Sequence, residues 1–171
     1  MQQTTLPPRL LQRLHTTSAD MEQLMANEVF RAFTTYAVIV ILKMMLMAPL
    51  TSYYRVTKGA FSNLEDVRKK TMEEKKKLLR TDPDVERVRR CHLNDLENIV
   101  PFFVIGLLYA LTQPALSTAL LHFRVFAGSR VCHSVSYVCV LPQPCRGLSY
   151  IVGVLVTASM AYQVLSTVLV L

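Results

Sequence analysis

Cysteine, charge and familiar catalytic signatures are all scarce in this chain. Four cysteines, at 91, 132, 139 and 145, are too few and too clustered to staple a small secreted domain. No CxxC occurs, which excludes a zinc ribbon and a thioredoxin-like redox pair. HExxH, an acid–histidine cluster, a glycine-rich phosphate loop and a GxSxG elbow are missing too, so no metal is expected. No N-x-S/T sequon is present, since Asn27, Asn63, Asn94 and Asn98 all fail the pattern. Internal repeats and low-complexity tracts are likewise absent. Charged residues make up 18% of the chain, against roughly 25% in a soluble domain.

What the sequence has is apolar surface. Its 171 residues, one domain's worth, are 51% hydrophobic, with a mean hydropathy of +0.30. That is too hydrophobic for a disordered chain. The net charge of +7 is unevenly placed. Twelve of the 19 Lys and Arg lie between Arg55 and Arg90, mixed with seven acids, and long apolar segments flank that stretch. A basic loop between apolar segments reads as the cytosolic loop of a membrane protein. Nucleic-acid binding is disfavoured, because no aromatic interleaving or binding motif accompanies the charge.

Four membrane helices are expected, at about 29–54, 84–112, 115–141 and 147–171, with a cytosolic loop at 56–82 and both termini on the other side. Residues 1–20 read as a disordered extension of transit-peptide-like composition, interrupted by Pro7 and Pro8. Residues 21–171 form the transmembrane domain. Lys43 lies mid-span, where it must face the bundle or snorkel. Asp82-Pro83-Asp84 is a helix start: Asp caps, Pro suits the first turn, and acids favour the positive end of the dipole. The second span has only 13 purely apolar residues, Ile99–Leu111. The preceding VERVRRCHLNDLEN must therefore carry charge to bilayer depth.

Ionisable residues at that depth are functional candidates. Arg90, Asn94, Glu97 and Pro101 recur at helical spacing on one face, and Arg130, His133 and Tyr137 do the same on the third span. Arg55 and Arg146 sit at the same cytosolic boundary. Several Arg with Glu, Asn, His and Tyr suit a small anionic ligand carrying carboxylates and an amine. Arg forks onto carboxylates, Glu97 takes an ammonium, and a cation beside a thiol favours its thiolate. The bland readings are internal salt bridges and snorkelling arginines. His122 and His133 read as hydrogen-bonded packing residues. The cysteines read as reduced packing residues, with Cys145, beside Arg146, the one candidate for reactivity.

The segments KMMLMAPLTSYYRVTKGAFSNLEDV (43–67), RTDPDVERVRRCHLNDLENIVPF (80–102) with GLLYAL after it, STALLHFRVFAGSRVCHSVSYV (117–138) and LPQPCRGLSY (141–150) resemble the MAPEG family, membrane proteins of eicosanoid and glutathione metabolism. The resemblance covers about residues 21–168. It implies an all-α, four-helix integral membrane subunit assembling as a homotrimer, with glutathione bound between subunits near the cytosolic face. The implied activity is a detoxifying transfer of glutathione to hydrophobic electrophiles from the bilayer, with glutathione-dependent reduction of lipid hydroperoxides. The implied membrane is the endoplasmic reticulum, with the mitochondrial outer membrane as a second site.

By motif, Arg55, Arg89, Arg90, His92, Glu97 and Tyr137 are expected to hold glutathione, Asn94 and Arg130 to line the pocket, and Arg146 to stabilise the thiolate. Arg89 and His92 fall off the Arg90 face, which a site shared between subunits accommodates. Where the family carries an activating Cys after the loop Glu-Asp, this chain has Val67. Cys132 and Cys145 stand where Tyr and Asn are found. A prostaglandin E synthase-like isomerase of the same family ranks second, because Gly147 stands where that branch has Ser and HLNDLEN where it reads HRNDMET. A non-catalytic membrane scaffold is the rival of another class. It does not explain why Arg55, Arg89, Arg90, Arg130 and Arg146 converge on one leaflet.

Overall fold

The computed structural model describes residues 21–169. The extension expected at 1–20 lies outside them. The long elements are α1 (Glu28–Lys58), α3 (Pro83–Leu111), α4 (Leu116–Val138) and α5 (Cys145–Val168), with a short α2 (Met72–Leu78) between the first two. The only β pairing among the described residues is an isolated bridge between Phe61 and Leu79.

Local chemistry sets the helix ends. Asn27 caps α1, its side chain accepting from the Phe30 N–H at 3.0 Å. The helix stops at Gly59, whose φ of 57° is left-handed. The Gly59 and Ala60 N–H groups return to the Val56 and Arg55 carbonyls at 3.2 and 3.0 Å, a Schellman closure that needs a residue without Cβ strain. Asp82 caps α3 as expected, accepting from Asp84 at 2.9 Å and Val85 at 3.4 Å, with Pro83 in the first turn. In the loop, Thr71 and Glu74 form a reciprocal capping box that starts α2. Val67 is buried.

Helix α3 packs on α1, α4 and α5, and α4 packs on α1 and α5. The main core holds Phe33, Ile99, Phe102, Tyr109, Phe123, Phe126 and Met160. Phe102 and Phe126 stack at 3.8 Å between centroids. Gly106 admits Phe33 so closely that a Cβ there would lie 2.8 Å from the ring. A second cluster, Met47, Val88 and Cys91 with Tyr54 and Tyr137 against it, lies nearer the basic loop. Farther along, His122 joins α4 to α5 through Ser159 at 3.1 Å, and Tyr109 lies 3.3 Å from its other nitrogen. Arg124 donates to the Tyr36 hydroxyl at 3.0 Å. Such polar links hold helices together where apolar burial gives no contrast with lipid.

Of the expected spans, 29–54 and 84–112 fall on α1 and α3, and the described part of 147–171 falls on α5; all three helices are long and apolar enough to cross a membrane. The segment 115–141 falls on α4, whose composition is diluted by His122, Arg124, Arg130 and His133. Outward-facing Leu42, Leu46, Val104, Leu108 and Leu155 are exposed, a surface suited to lipid or to a neighbouring chain rather than to water. The cysteines correct one reading: only Cys91 is packed, whereas Cys132, Cys139 and Cys145 are free and exposed.

Candidate functional site

The antiparallel packing brings one end of every long helix together. The last turn of α1 carries Arg55, the first turns of α3 carry Arg89, Arg90 and His92, the last turn of α4 carries Tyr137, and the first turn of α5 carries Arg146. Cations thus dominate this end of the bundle.

These residues divide between the two flanks of α3. On the α1 side, Arg55, Arg89 and His92 line a cleft of about 380 Å³ with Thr51 and Ser52. Arg55 Nε is buried there without a hydrogen-bond partner. Arg89 is paired with Glu86 at 2.8 Å yet half exposed, so it can turn to a ligand at small cost. On the α5 side, Glu97, Asn98 and Pro101 line a groove of about 330 Å³ with Tyr150, Val154 and Thr157. Arg90 and Asn94 share the Glu97 flank by helical period. Arg90 and Glu97 are exposed. At the loop, the Arg146 guanidinium carbon lies 4.6 Å from the Tyr137 ring centre. The Tyr137 ring is 5.1 Å from that of His133.

A third group is sealed inside. Arg130, expected to line a pocket, is 0% exposed, as is Asp95. Arg130 Nη2 donates to Asp95 at 2.7 Å and to Asn94 Oδ1 at 2.9 Å, and it faces His133 Nδ1 at 3.2 Å. Lys43 reaches Asp95 from α1, with its Nζ 2.6 and 2.5 Å from the two carboxylate oxygens. The mid-span lysine thus faces the bundle, and one acid serves two cations. Asp95 was missed as a functional residue in the sequence. Its signal was there: Lys43 demands an anion at its own depth, and Asp95 interrupts the apolar stripe of Val88, Cys91, Ile99 and Phe102.

The MAPEG family profile matches residues 33–166. The chain belongs to the MAPEG family. Among the MAPEG-type relatives it resembles, microsomal glutathione S-transferase 1 of Sus scrofa is 57% identical over 150 residues, covering 87% of this chain and 97% of the relative. Microsomal glutathione S-transferase 1 of Homo sapiens is 56% identical over 149 residues, covering 86% and 96%. Prostaglandin E synthase of Homo sapiens is 38% identical over 141 residues, covering 82% and 91%. MAPEG membership agrees with the all-helical architecture and with the three apolar helices. The ordering of the two kinds of relative matches the residues that separated them in the sequence, Gly147 and HLNDLEN.

Proposed function

We propose that this chain is a membrane-bound glutathione transferase, with glutathione as substrate and no metal in the reaction. The observation that carries the reading is the division of the polar residues between two flanks of one helix. Arg55, Arg89 and His92 line the cleft toward α1, whereas Glu97 lines the groove toward α5 and Arg90 and Asn94 share its flank by helical period. A single ligand touching both sets must lie between two copies of the chain. That supports an oligomer with sites shared between copies, and the family resemblance makes it a homotrimer. It also accounts for an exposed Glu97 on a membrane-crossing helix, where a bare carboxylate is costly.

In this reading four helices, α4 included, form the transmembrane domain 21–171, and the basic segment 56–82 faces the cytosol. The resident membrane is the endoplasmic reticulum, with the mitochondrial outer membrane as a second location. Arg55, Arg89 and Arg90 take the two carboxylates of glutathione as forked pairs, and His92 and Asn94 hydrogen-bond its peptide groups. Glu97 receives the ammonium, and the Tyr137 hydroxyl closes the pocket. Arg130 contributes from behind, by holding Asn94.

Arg146 stands beside the thiol and favours its thiolate, each unit of lowered pKa being worth about 1.4 kcal/mol. A hydrophobic electrophile arrives laterally from the bilayer. The thiolate sulfur attacks its electrophilic carbon, a C–S bond forms, and the leaving group departs with the bonding pair. With a lipid hydroperoxide the thiolate attacks oxygen instead. The O–O bond breaks, the lipid leaves as an alcohol after taking a proton, and a second glutathione converts the sulfenic acid to disulfide and water.

Titration of detergent-solubilised protein with glutathione, followed by conjugation to an aryl halide, tests the reading. Saturable binding with turnover supports it, and no binding by the assembled protein overturns it in favour of a scaffold.

A further inference from the structure

We propose that Asp95 is a positioning residue for the thiol-tripeptide site, acting through Arg130 on Asn94 and His133; this rests on the transferase reading above. Asp95 meets no ligand itself, since it is fully buried among α1, α3 and α4. Its leverage lies in the one guanidinium nitrogen it orients. Arg130 Nη2 has two protons and faces three acceptors: Asp95 Oδ1 at 2.7 Å, Asn94 Oδ1 at 2.9 Å and His133 Nδ1 at 3.2 Å.

Two consequences follow for the site. The Asn94 carbonyl is occupied by Arg130, and the Asn98 amide adds a second donor at 3.4 Å. The Asn94 NH2 is therefore left as the group it presents on the flank it shares with Arg90 and Glu97. A donor there suits a carbonyl or carboxylate of the ligand, whereas a flipped amide would oppose it. His133 Nδ1 lies 3.2 Å from the same nitrogen, so a shift of the guanidinium displaces this contact as well.

Without the Asp95 charge, the guanidinium has no anion to fix it. Lys43 and Arg130 would be two cations facing one another in a low-dielectric interior, and both would move apart. Arg130 Nε and Nη1 are buried without partners, so the fork is held through Nη2 alone, and Asp95 is the one anion it meets among the described residues. The cluster is therefore built around a single acid rather than distributed over several.

A merely structural ion cluster would affect stability and nothing else. A positioning role separates the kinetic constants. We expect Asp95→Asn, isosteric and uncharged, to raise the glutathione KM about tenfold, the equivalent of 1.4 kcal/mol. The KM for an aryl halide should stay within about twofold and kcat within about threefold, because Arg146 lies on another helix. Asn94→Ala should raise the glutathione KM similarly, and the double variant should add little, since both act on one contact.

The experiment is steady-state kinetics of the full-length solubilised oligomer for wild type, the two single variants and the double. An unchanged glutathione KM in Asp95→Asn, or fully additive effects in the double variant, overturns the inference while leaving the transferase reading intact. A wild type that shows no glutathione-dependent turnover overturns the reading itself. If Asp95→Asn does not fold, Arg130→Lys carries the test. It keeps the charge beside Asp95 but lacks the planar fork, and the same selective rise in glutathione KM is expected. No rise there overturns the inference.

Discussion

Arg146 and Tyr137 join the first turn of α5 to the last turn of α4, with the guanidinium carbon 4.6 Å from the ring centre. A cation over an aromatic face is worth about 0.5–1 kcal/mol at an accessible site. The ring therefore aims the cation, while the phenol hydroxyl is a separate asset. Tyr137→Phe should raise the glutathione KM with kcat unchanged. Tyr137→Leu should in addition lower kcat by about two- to fivefold, the rate equivalent of the lost cation–π contact. Steady-state kinetics of the two variants checks the split, and equal kcat values would remove the aiming role.

The two-flank geometry makes a prediction about mixtures. Arg55→Ala and Glu97→Gln should each be inactive alone. Co-expressed in equal amounts, they should recover about a quarter of wild-type turnover. In random trimers, about one interface in four then pairs an intact Arg55 flank with an intact Glu97 flank. Turnover of the co-purified mixture is the measurement. If both residues served one subunit's own site, the mixture would stay inactive.

Packing at Gly106 is tight enough to test. A Cβ there would lie 2.8 Å from a Phe33 ring carbon. Gly106→Val gains helix propensity, but the larger side chain must displace the ring that anchors α1 to α3. We expect a net loss of about 1–2 kcal/mol, within the range for overpacked cores. A lower midpoint of thermal unfolding, with the glutathione KM unchanged, is the expected result.

The basic loop carries a pH-dependent element. The Thr71 backbone and hydroxyl hydrogen-bond the Glu74 carboxylate and hold its pKa below the ordinary value. A depressed carboxylate pKa stabilises the folded loop above the unfolded value, and that contribution is lost as pH falls through the folded one. The protection of α2 amides, taken relative to the intrinsic exchange rate at each pH, should be greater at neutral pH than in acid. Glu74→Ala should show the lower protection at neutral pH as well, without loss of turnover.

Much of this was legible in the sequence because charge inside an apolar chain is conspicuous. The Asp82-Pro83 start of α3 could be read directly, since capping is local chemistry. So could the placing of Arg55, Arg89 and Arg90 on either side of the basic loop, and of Arg146 at the start of the last helix. Burial was not legible. Arg130 shares a helical face with Tyr137, yet it turns inward because Asp95, on a different helix, neutralises it. Asp95 itself was hidden inside HLNDLEN, where polar neighbours made it look like one more site residue. Which cysteines pack inside also depends on how α4 is rotated against α3, information carried by tertiary contacts and not by spacing.

The most direct test of the central claim is the ultraviolet absorbance of glutathione thiolate on adding glutathione to the solubilised oligomer at neutral pH, for wild type and Arg146→Ala. The account predicts a thiolate signal in the wild type that disappears in Arg146→Ala, with glutathione still bound and turnover lost. A thiolate signal of equal size in the two proteins would contradict it.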